Sequence, residues 1–235
     1  MADLWDPGKV AAATAAVGRV RKGMRLALGG GTTVAQALDA LRTNFPGGFG
    51  LEIVVASEAT DAEARALGIT PVPLQPDSHF DLMLDGADEV TPALALTKGG
   101  GGALFREKFL GRLSDEVVIM VDATKLVDRL GTRHPIPIEV VPFARPVLAR
   151  QIGALGFTVS VRTSSESGRP WRTDNGNEIL DLKPLTPIDD PAGLDRTLHG
   201  FSGVVETGIF IDFTRRVVVG KPDGSVQEIE RPAAA

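Results

Sequence analysis

Short apolar runs alternate with stretches of helical period along the first two-thirds of the chain. Met24 to Leu28 predicts a strand, followed by the polar, glycine-rich stretch Gly29-Gly30-Gly31-Thr32-Thr33. Val34 to Leu41 predicts a helix, with Val34, Ala37, Leu38 and Leu41 on one stripe. Ile53 to Ala56 predicts a strand, and Thr60 to Leu67 a helix ended by Gly68. Phe80 to Leu84 is a strand running into Asp85, and Val117 to Val121 a strand running into Asp122. Between them Gly102 to Leu113 is helical, with Leu104, Phe105, Phe109 and Leu113 on one face. Strands apolar on both faces, alternating with helices, imply a parallel sheet covered on both sides.

After Leu130 the pattern changes. His134 to Pro146 holds Pro135, Pro137, Pro142 and Pro146, which reads as a crossing between domains. Pro146 to Leu155 and Pro191 to Leu198 predict helices, and Thr158 to Arg162 and Glu178 to Leu182 predict extended segments. Ser164 to Asn177 is polar and rich in turn formers, a hairpin or flexible loop. Val204 to Phe213, Arg216 to Val219 and Val226 to Ile229 are strand-like, with Pro222-Asp223-Gly224 as a turn. Arg231 to Ala235 reads as a loose tail. The expected fold class is therefore α/β, a Rossmann-like, mostly parallel sheet domain with a second, smaller α+β domain. Residues 1–133 and 206–235 form the first, and 134–205 the second.

Composition narrows the functional classes. The 235 residues carry 25 Lys and Arg against 30 Asp and Glu, a net charge of −5. That balance argues against a general nucleic-acid binder, which needs a basic excess to neutralise phosphates. Any anionic ligand must be met by locally clustered base. The absence of cysteine excludes disulfides, thiolate metal sites and cysteine nucleophiles, and fits a reducing cytoplasm. The first residues, Met1-Ala2-Asp3-Leu4-Trp5-Asp6, carry acid where a leader needs base. The greasiest run stops at Asp122, far short of the ~20 residues a spanning helix needs. The expectation is a cytoplasmic protein with no membrane or nucleic-acid partner. His79, His134 and His199 lack ligand spacing, which argues against a zinc site. Trp5 and Trp171 stand alone and read as packing residues rather than stacking platforms.

Four motifs can carry chemistry. The first, Gly29 to Thr33, sits at a strand-to-helix junction, where glycines admit an anion and helix amides point at it. It is no dinucleotide fingerprint, because Val34 stands where the third glycine is needed; its plain alternative is a tight turn with a threonine cap. The second is Asp85-Gly86-Ala87-Asp88-Glu89 at the carboxyl edge of a buried strand, where open α/β sheets place ligands. Its carboxylates suit acid and base duties, a divalent cation, or self-capping of the loop. The third, Lys98-Gly99-Gly100-Gly101-Gly102 leading to Arg106-Glu107-Lys108, contains a four-glycine run that is costly to order. A loop wrapped on a small ligand accounts for that cost, whereas Glu107 alone would read as an ion-paired surface residue. The fourth is Asp122-Ala123-Thr124-Lys125, whose lysine can reach a phosphate or simply lie at the surface.

These motifs occur in one order, followed by Gly176-Asn177-Glu178-Ile179-Leu180-Asp181, Gly203-Val204-Val205-Glu206-Thr207-Gly208-Ile209-Phe210 and Pro222-Asp223-Gly224. The set closely resembles the ribose-5-phosphate isomerase A family over nearly the whole chain. The resemblance implies metal-free, cofactor-free interconversion of ribose 5-phosphate and ribulose 5-phosphate in the pentose phosphate pathway. It implies a homodimer or homotetramer, and no partner beyond the sugar phosphate. By motif match, Glu107 would be the proton acceptor. Asp85, Gly86, Ala87, Asp88 and Lys98 would line the sugar, with Gly99, Gly100 and Gly101 in the substrate loop. Gly30, Gly31, Thr32, Thr33 and Lys125 would serve the phosphate, together with Lys9. The family more often has Gly-Thr-Gly-Ser-Thr in the first loop. Here Gly30 replaces the threonine and Thr32 the serine, so one hydroxyl donor is missing while the backbone amides remain.

The chemistry suits these residue types. Aldose–ketose isomerisation moves a proton between C1 and C2 through an enediolate. It needs a carboxylate whose basicity is raised by burial, donors for the developing oxyanion such as Lys98 and the loop amides, and an acid to open the ring. Asp85 is assigned to ring opening and Asp88 to orienting a hydroxyl or Lys98, roles that are interchangeable on the sequence alone. Two other classes remain: a non-catalytic sugar-phosphate sensor, and a coenzyme A transferase-like enzyme with a glutamate nucleophile.

Overall fold

The computed structural model describes residues 6–47, 50–165 and 167–231. Trp5, part of the N-terminal segment and the end of the expected tail lie outside them. In chain order the elements are α1 (Pro7–Val17), β1 (Arg25–Leu28), α2 (Thr32–Asn44), β2 (Glu52–Val55), α3 (Glu58–Ala66), β3 (Phe80–Asp85), β4 (Glu89–Val90), β5 (Leu96–Thr97), α4 (Leu104–Arg112) and β6 (Ser114–Asp122). There follow β7 (Ile136–Val140), α5 (Arg145–Gly153), β8 (Phe157–Val161), β9 (Glu178–Pro184), α6 (Pro191–His199), β10 (Val204–Thr207), β11 (Ile209–Phe210), β12 (Arg216–Gly220) and β13 (Val226–Glu230). The chain divides into two units. The first comprises 1–87, 106–125 and 212–235, and the second 88–105 and 126–211.

The first unit is built on a six-stranded sheet in the order β13-β12-β6-β3-β1-β2. All pairings are parallel except β12 with β13. Its strands are apolar at successive positions because both faces are covered. Leu26, Leu28, Leu82, Leu84, Val118, Met120 and Val218 join Ala12, Ala16, Val34, Leu38 and Leu41 of α1 and α2 in one core. Met83 points to the other face, where its sulfur lies 3.3 Å from the position a side chain on Gly111 of α4 would take. Each fully buried Leu or Val in these strands contributes about 1.5–3 kcal/mol.

Helix α1 was not expected. Its N-cap Asp6 accepts a hydrogen bond from the Lys9 amide at 3.1 Å, and Pro7 opens the first turn. A Cβ on Gly220 at the end of β12 would stand 1.8 Å from the Gly8 carbonyl oxygen. The two backbones therefore touch through glycine, and this contact brings the start of α1 down onto the carboxyl end of the sheet.

The second unit holds an antiparallel four-stranded sheet, β10-β7-β9-β8, and a three-stranded one, β11-β5-β4. Helices α5 and α6 close the larger sheet through Leu148, Ile152 and Leu198 against Ile136, Ile138, Val140, Leu180 and Leu182. Strand β7 corrects the reading of His134 to Pro146 as a mere crossing: residues 136 to 140 lie inside the sheet. Pro137 is tolerated there because its carbonyl accepts from Gly208 N at 2.7 Å, where the neighbouring strand has already ended. In an antiparallel strand N–H and C=O of one residue point the same way, so the missing donor falls at the end of that ladder. Val204 to Phe213, expected as one strand, is broken at Gly208 into β10 and β11. A Cβ on Gly208 would stand 2.4 Å from the Lys98 carbonyl oxygen.

Candidate active site

In the first unit the sheet reverses its order of construction between β1 and β3. The chain leaves β1 for β2 on one side and leaves β3 for β6 on the other. Ligands of open α/β sheets bind at this switch point, beyond the carboxyl ends of the strands. Two motifs meet there. Gly29 N donates to the Leu84 carbonyl at 3.0 Å, and a Cβ on Gly29 would stand 1.8 Å from Asp85 Oδ1. Asp85 is 0% exposed, and its Oδ1 accepts from the Gly86 amide at 2.7 Å.

The glycine-threonine turn leads into α2 through Gly31, whose φ of 86° suits glycine, and no side chain caps this helix. Gly31, not a threonine, holds the N-cap position. The helix therefore begins with Thr32 and Thr33 at its positive end. Lys9 reaches this turn from α1 and donates to Thr32 Oγ1 at 3.0 Å. Its ammonium and the helix N-terminus place positive charge in one corner, an arrangement that suits an anion. Thr33 is buried, with its hydroxyl 3.8 Å from where a Cβ on Gly86 would stand. Ala87 follows Gly86 on the same loop. Lys125 closes a short 3-10 turn after β6, in which Asp122 Oδ1 accepts from the Thr124 amide at 2.8 Å.

Glu107 lies in the first turn of α4 and is 5% exposed. Its Oε1 is 3.7 Å from the position of a Cβ on Gly30, which also lies 3.6 Å from Thr60 Oγ1 and 3.8 Å from Ser57 Oγ. Ser57 caps α3 by accepting from the Thr60 amide at 3.0 Å, and Thr60 donates to the Gly29 carbonyl at 3.1 Å. These two hydroxyls flank Gly30, the position where the expected threonine is missing. The local cap pattern Ser57-Glu58-Ala59-Thr60 was the only sign of them in the sequence.

Asp88, Lys98, Gly99, Gly100 and Gly101 belong to the second unit. Asp88 Oδ2 accepts from the Gly100 amide at 2.8 Å, which ties the two motifs together. Lys98 is 3% exposed, its amide bonds to the Gly208 carbonyl at 2.9 Å, and its Nζ stands 5.6 Å from the centre of the Phe210 ring. Gly99 adopts φ 94°, and a Cβ there would stand 2.9 Å from that of Leu104. Glu89, next to Asp88, has a different task. It is fully buried and accepts from the amides of Gly131, Arg133 and His134 at 2.6, 2.6 and 3.0 Å, and from Thr97 Oγ1 at 3.2 Å.

His199 is not isolated. Its Nε2 lies 2.9 Å from Glu206 Oε1, and its Nδ1 lies 2.9 Å from the Asp195 carbonyl and 3.4 Å from Asp195 Oδ1. Both ring nitrogens already face oxygen, so the group ties α6 to β10.

A doubly wound parallel sheet, two glycine-bearing loops touching at its switch point and a buried glutamate beside them are the layout of an α/β enzyme whose site lies at the carboxyl ends of its strands. Residues 52–224 match the family of ribose 5-phosphate isomerase A (phosphoriboisomerase A). The ribose-5-phosphate isomerase A of Chloroflexus aurantiacus is 45% identical over 218 residues, covering 92% of this chain and 90% of its own. The solved ribose 5-phosphate isomerase A of Methanocaldococcus jannaschii superposes with a TM-score of 0.88 at 33% identity, covering 98% and 99% of the two chains. A solved D-ribose-5-phosphate isomerase in complex with phospho-erythronic acid superposes with a TM-score of 0.89 at 33% identity, covering 95% and 97%. The chain belongs to the ribose 5-phosphate isomerase A family.

Proposed function

We propose that the chain interconverts D-ribose 5-phosphate and D-ribulose 5-phosphate, with Glu107 as the proton carrier. The observation that carries this reading is the Glu107 carboxylate, buried in the first turn of α4 beside Gly30 of the anion-suited turn. In the open aldose, Glu107 takes the proton from C2 as electrons move through the C1–C2 bond to the carbonyl oxygen. The enediolate then recovers that proton at C1, while the hydroxyl proton passes from O2 to O1, so no oxidant or reductant is consumed. Lys98 and the amides of the glycine loop stabilise the developing oxyanion, an effect typically worth ~10²–10³ in rate per donor. Asp85 serves ring opening, and Asp88 orients a sugar hydroxyl. Lys9, Gly30, Gly31, Thr32, Thr33 and Lys125 hold the phosphate, whose anchoring energy keeps the reacting carbons in place.

All of these residues fall within 1–133, but they divide between the two compact units: Asp88, Lys98 and the glycine loop lie in the second, and the others in the first. The cysteine-free composition supports a cytoplasmic setting. Among the described residues no helix is long and apolar enough to cross a membrane. Phe143, 94% exposed, with Val147 and Leu185 also exposed, supports self-association as a homodimer or homotetramer. Phospho-erythronic acid, the ligand of the solved relative, carries a carboxylate that resembles the enediolate, and it is expected to bind here as an inhibitor.

The test is a coupled assay with ribose 5-phosphate and no added metal, on the wild type and on Glu107→Gln. The variant should keep its Tm and still bind phospho-erythronic acid. Its kcat should fall by roughly 10²–10⁴, the usual contribution of a positioned general base. A kcat within a few-fold of wild type removes Glu107 from the reaction.

A further inference from the structure

The structure assigns Arg162, at the end of β8, a positioning role: anchored by Asp181, it braces the glycine loop from behind. The guanidinium spends its fork on two targets. Nε and Nη2 donate to Asp181 Oδ2 and Oδ1 at 3.0 and 2.5 Å, a bidentate pair. Nη1 donates to the carbonyls of both Gly99 and Gly100 at 2.9 Å each. Arg162 lies outside the motifs that mark the family, Asp181 closes the Gly176 to Asp181 motif, and both lie some 60 or more positions from the loop in sequence.

Peptide planarity gives the brace its consequence. In a trans peptide the N–H points opposite the C=O. Two successive carbonyls drawn to one Nη1 send the amides of Gly100 and Gly101 to the far side. There the Gly100 amide meets Asp88 Oδ2 at 2.8 Å. The peptide between Gly99 and Gly100 is thus held at both ends, its oxygen by Arg162 and its hydrogen by Asp88. Such chains polarise each other, so the bond to Asp88 is strengthened by the cation behind it. A four-glycine run has little conformational preference of its own. An external clamp is what makes it a preorganised donor surface instead of an ensemble. Lysine cannot replace this clamp, because a single ammonium lacks the planar fork that joins the Asp181 carboxylate to two carbonyls.

Trp171 adds a second restraint. Its amide donates to the Arg162 carbonyl at 2.9 Å, and its ring stands 2.2 Å from where a Cβ on Gly102 would project. Trp171, within the segment expected as a hairpin or flexible loop, therefore closes over the end of the glycine run. The inference rests on the proposed function in one respect, that Asp88 and the Gly101 amide on the far side of the loop face the sugar.

The experiment compares wild type with Arg162→Lys and Asp181→Asn. It reads Tm, kcat and KM for ribose 5-phosphate, and amide exchange of residues 99–102 with and without phospho-erythronic acid. Both variants should keep a cooperative transition. Their ligand-free loop amides should exchange at least tenfold faster. Their kcat should fall about 10–100-fold, less than for full loss of a donor, with KM changed by less than about threefold. In Arg162→Ala, added guanidinium at millimolar concentration should restore part of kcat, which a purely structural defect would not allow. Unchanged loop exchange together with near-normal kcat in Arg162→Lys overturns the brace. A wild-type loop whose amides gain no protection from phospho-erythronic acid instead overturns the substrate-facing reading of the loop, whatever the variants do.

Discussion

Gly29 and Asp85 compete for one volume. A single added carbon on the glycine would stand 1.8 Å from Oδ1 and 2.0 Å from Cγ of the aspartate, which is itself fully buried. The turn at Gly29 can lie against the Asp85 loop only because residue 29 has no side chain. Gly29→Ala must displace the Asp85 carboxylate, its bond to the Gly86 amide, or both. The expected outcome is a folded protein with kcat/KM reduced by more than about 30-fold, since ångström-scale misplacement at a reacting centre costs on the order of 10². Steady-state kinetics beside a thermal melt would check this. A variant with full activity would mean that Asp85 takes no part in the reaction.

Glu89 and Asp88 are sequence neighbours with separate duties. Glu89 is an internal cap, feeding four donors from 97 and the 131–134 turn. In Glu89→Gln the amide group faces donors it cannot accept from, leaving at least one buried donor unmet at about 1–3 kcal/mol. Glu89→Gln should therefore lower Tm by roughly 2–12 °C, taking about 2–4 °C per kcal/mol for a chain of this size. KM should stay within twofold. A large KM change at unaltered Tm would move Glu89 into the ligand-binding group.

Much of this architecture was readable from the chain. The parallel strands announced themselves because burial on both faces removes polar residues from every position, as in Leu82-Met83-Leu84 and Val117 to Val121. Their order, with Gly29 and Asp85 each following a strand, placed both motifs at the carboxyl edge. Helix α1 was missed because it is packed through Gly8, Ala12, Ala13 and Ala16, whose small side chains give little contrast with polar neighbours. Strand β7 was missed because Pro135 and Pro137 read as breakers, and only the neighbouring break at Gly208 makes Pro137 harmless. Ser57 and Thr60 show only a helix-cap pattern, and Arg162 carries no local signature at all. What matters about them is which distant backbone they reach, and the tertiary fold decides that.

Lys9 and Lys125 bring charge to the carboxyl end of the sheet, Lys9 through its bond to Thr32 and Lys125 from the turn after β6. If they anchor the phosphate, their loss weakens ground state and transition state alike. That pattern raises KM with little change in kcat. Lys125→Ala should raise KM about 5–20-fold, consistent with roughly 1–2 kcal/mol for a partly solvated charge-assisted contact. Lys9→Ala should do the same and also loosen the start of α2. The test is the KM–kcat split for ribose 5-phosphate. A pure kcat effect would place the lysine at the reacting carbons instead.

Far from the site, Glu228 on β13 offers a pH-dependent handle on stability. Its carboxyl is held below the ordinary value of 4.5, first by the side-chain hydrogen bond from Arg19, then by Arg216, with burial acting in the opposite sense. Arg19 Nη2 meets both oxygens at 2.9 and 2.7 Å, and Arg216 Nη1 lies 2.7 Å from Oε2. Because the folded value is depressed, the stabilisation is fully present above the unfolded value and disappears as pH falls through the folded one. The side chain is 37% exposed, so screening limits the gain to about 1 kcal/mol. Glu228→Gln should melt about 2–4 °C below wild type at neutral pH. The gap should hold above the ordinary carboxylate range and close only as pH falls through the depressed folded value of Glu228, below which both side chains are neutral. It should also shrink in molar salt, because the pairs lie near the surface. Paired melts across this range decide the matter. A gap that persists at the acid end would assign the loss to packing of β13 and not to its charge.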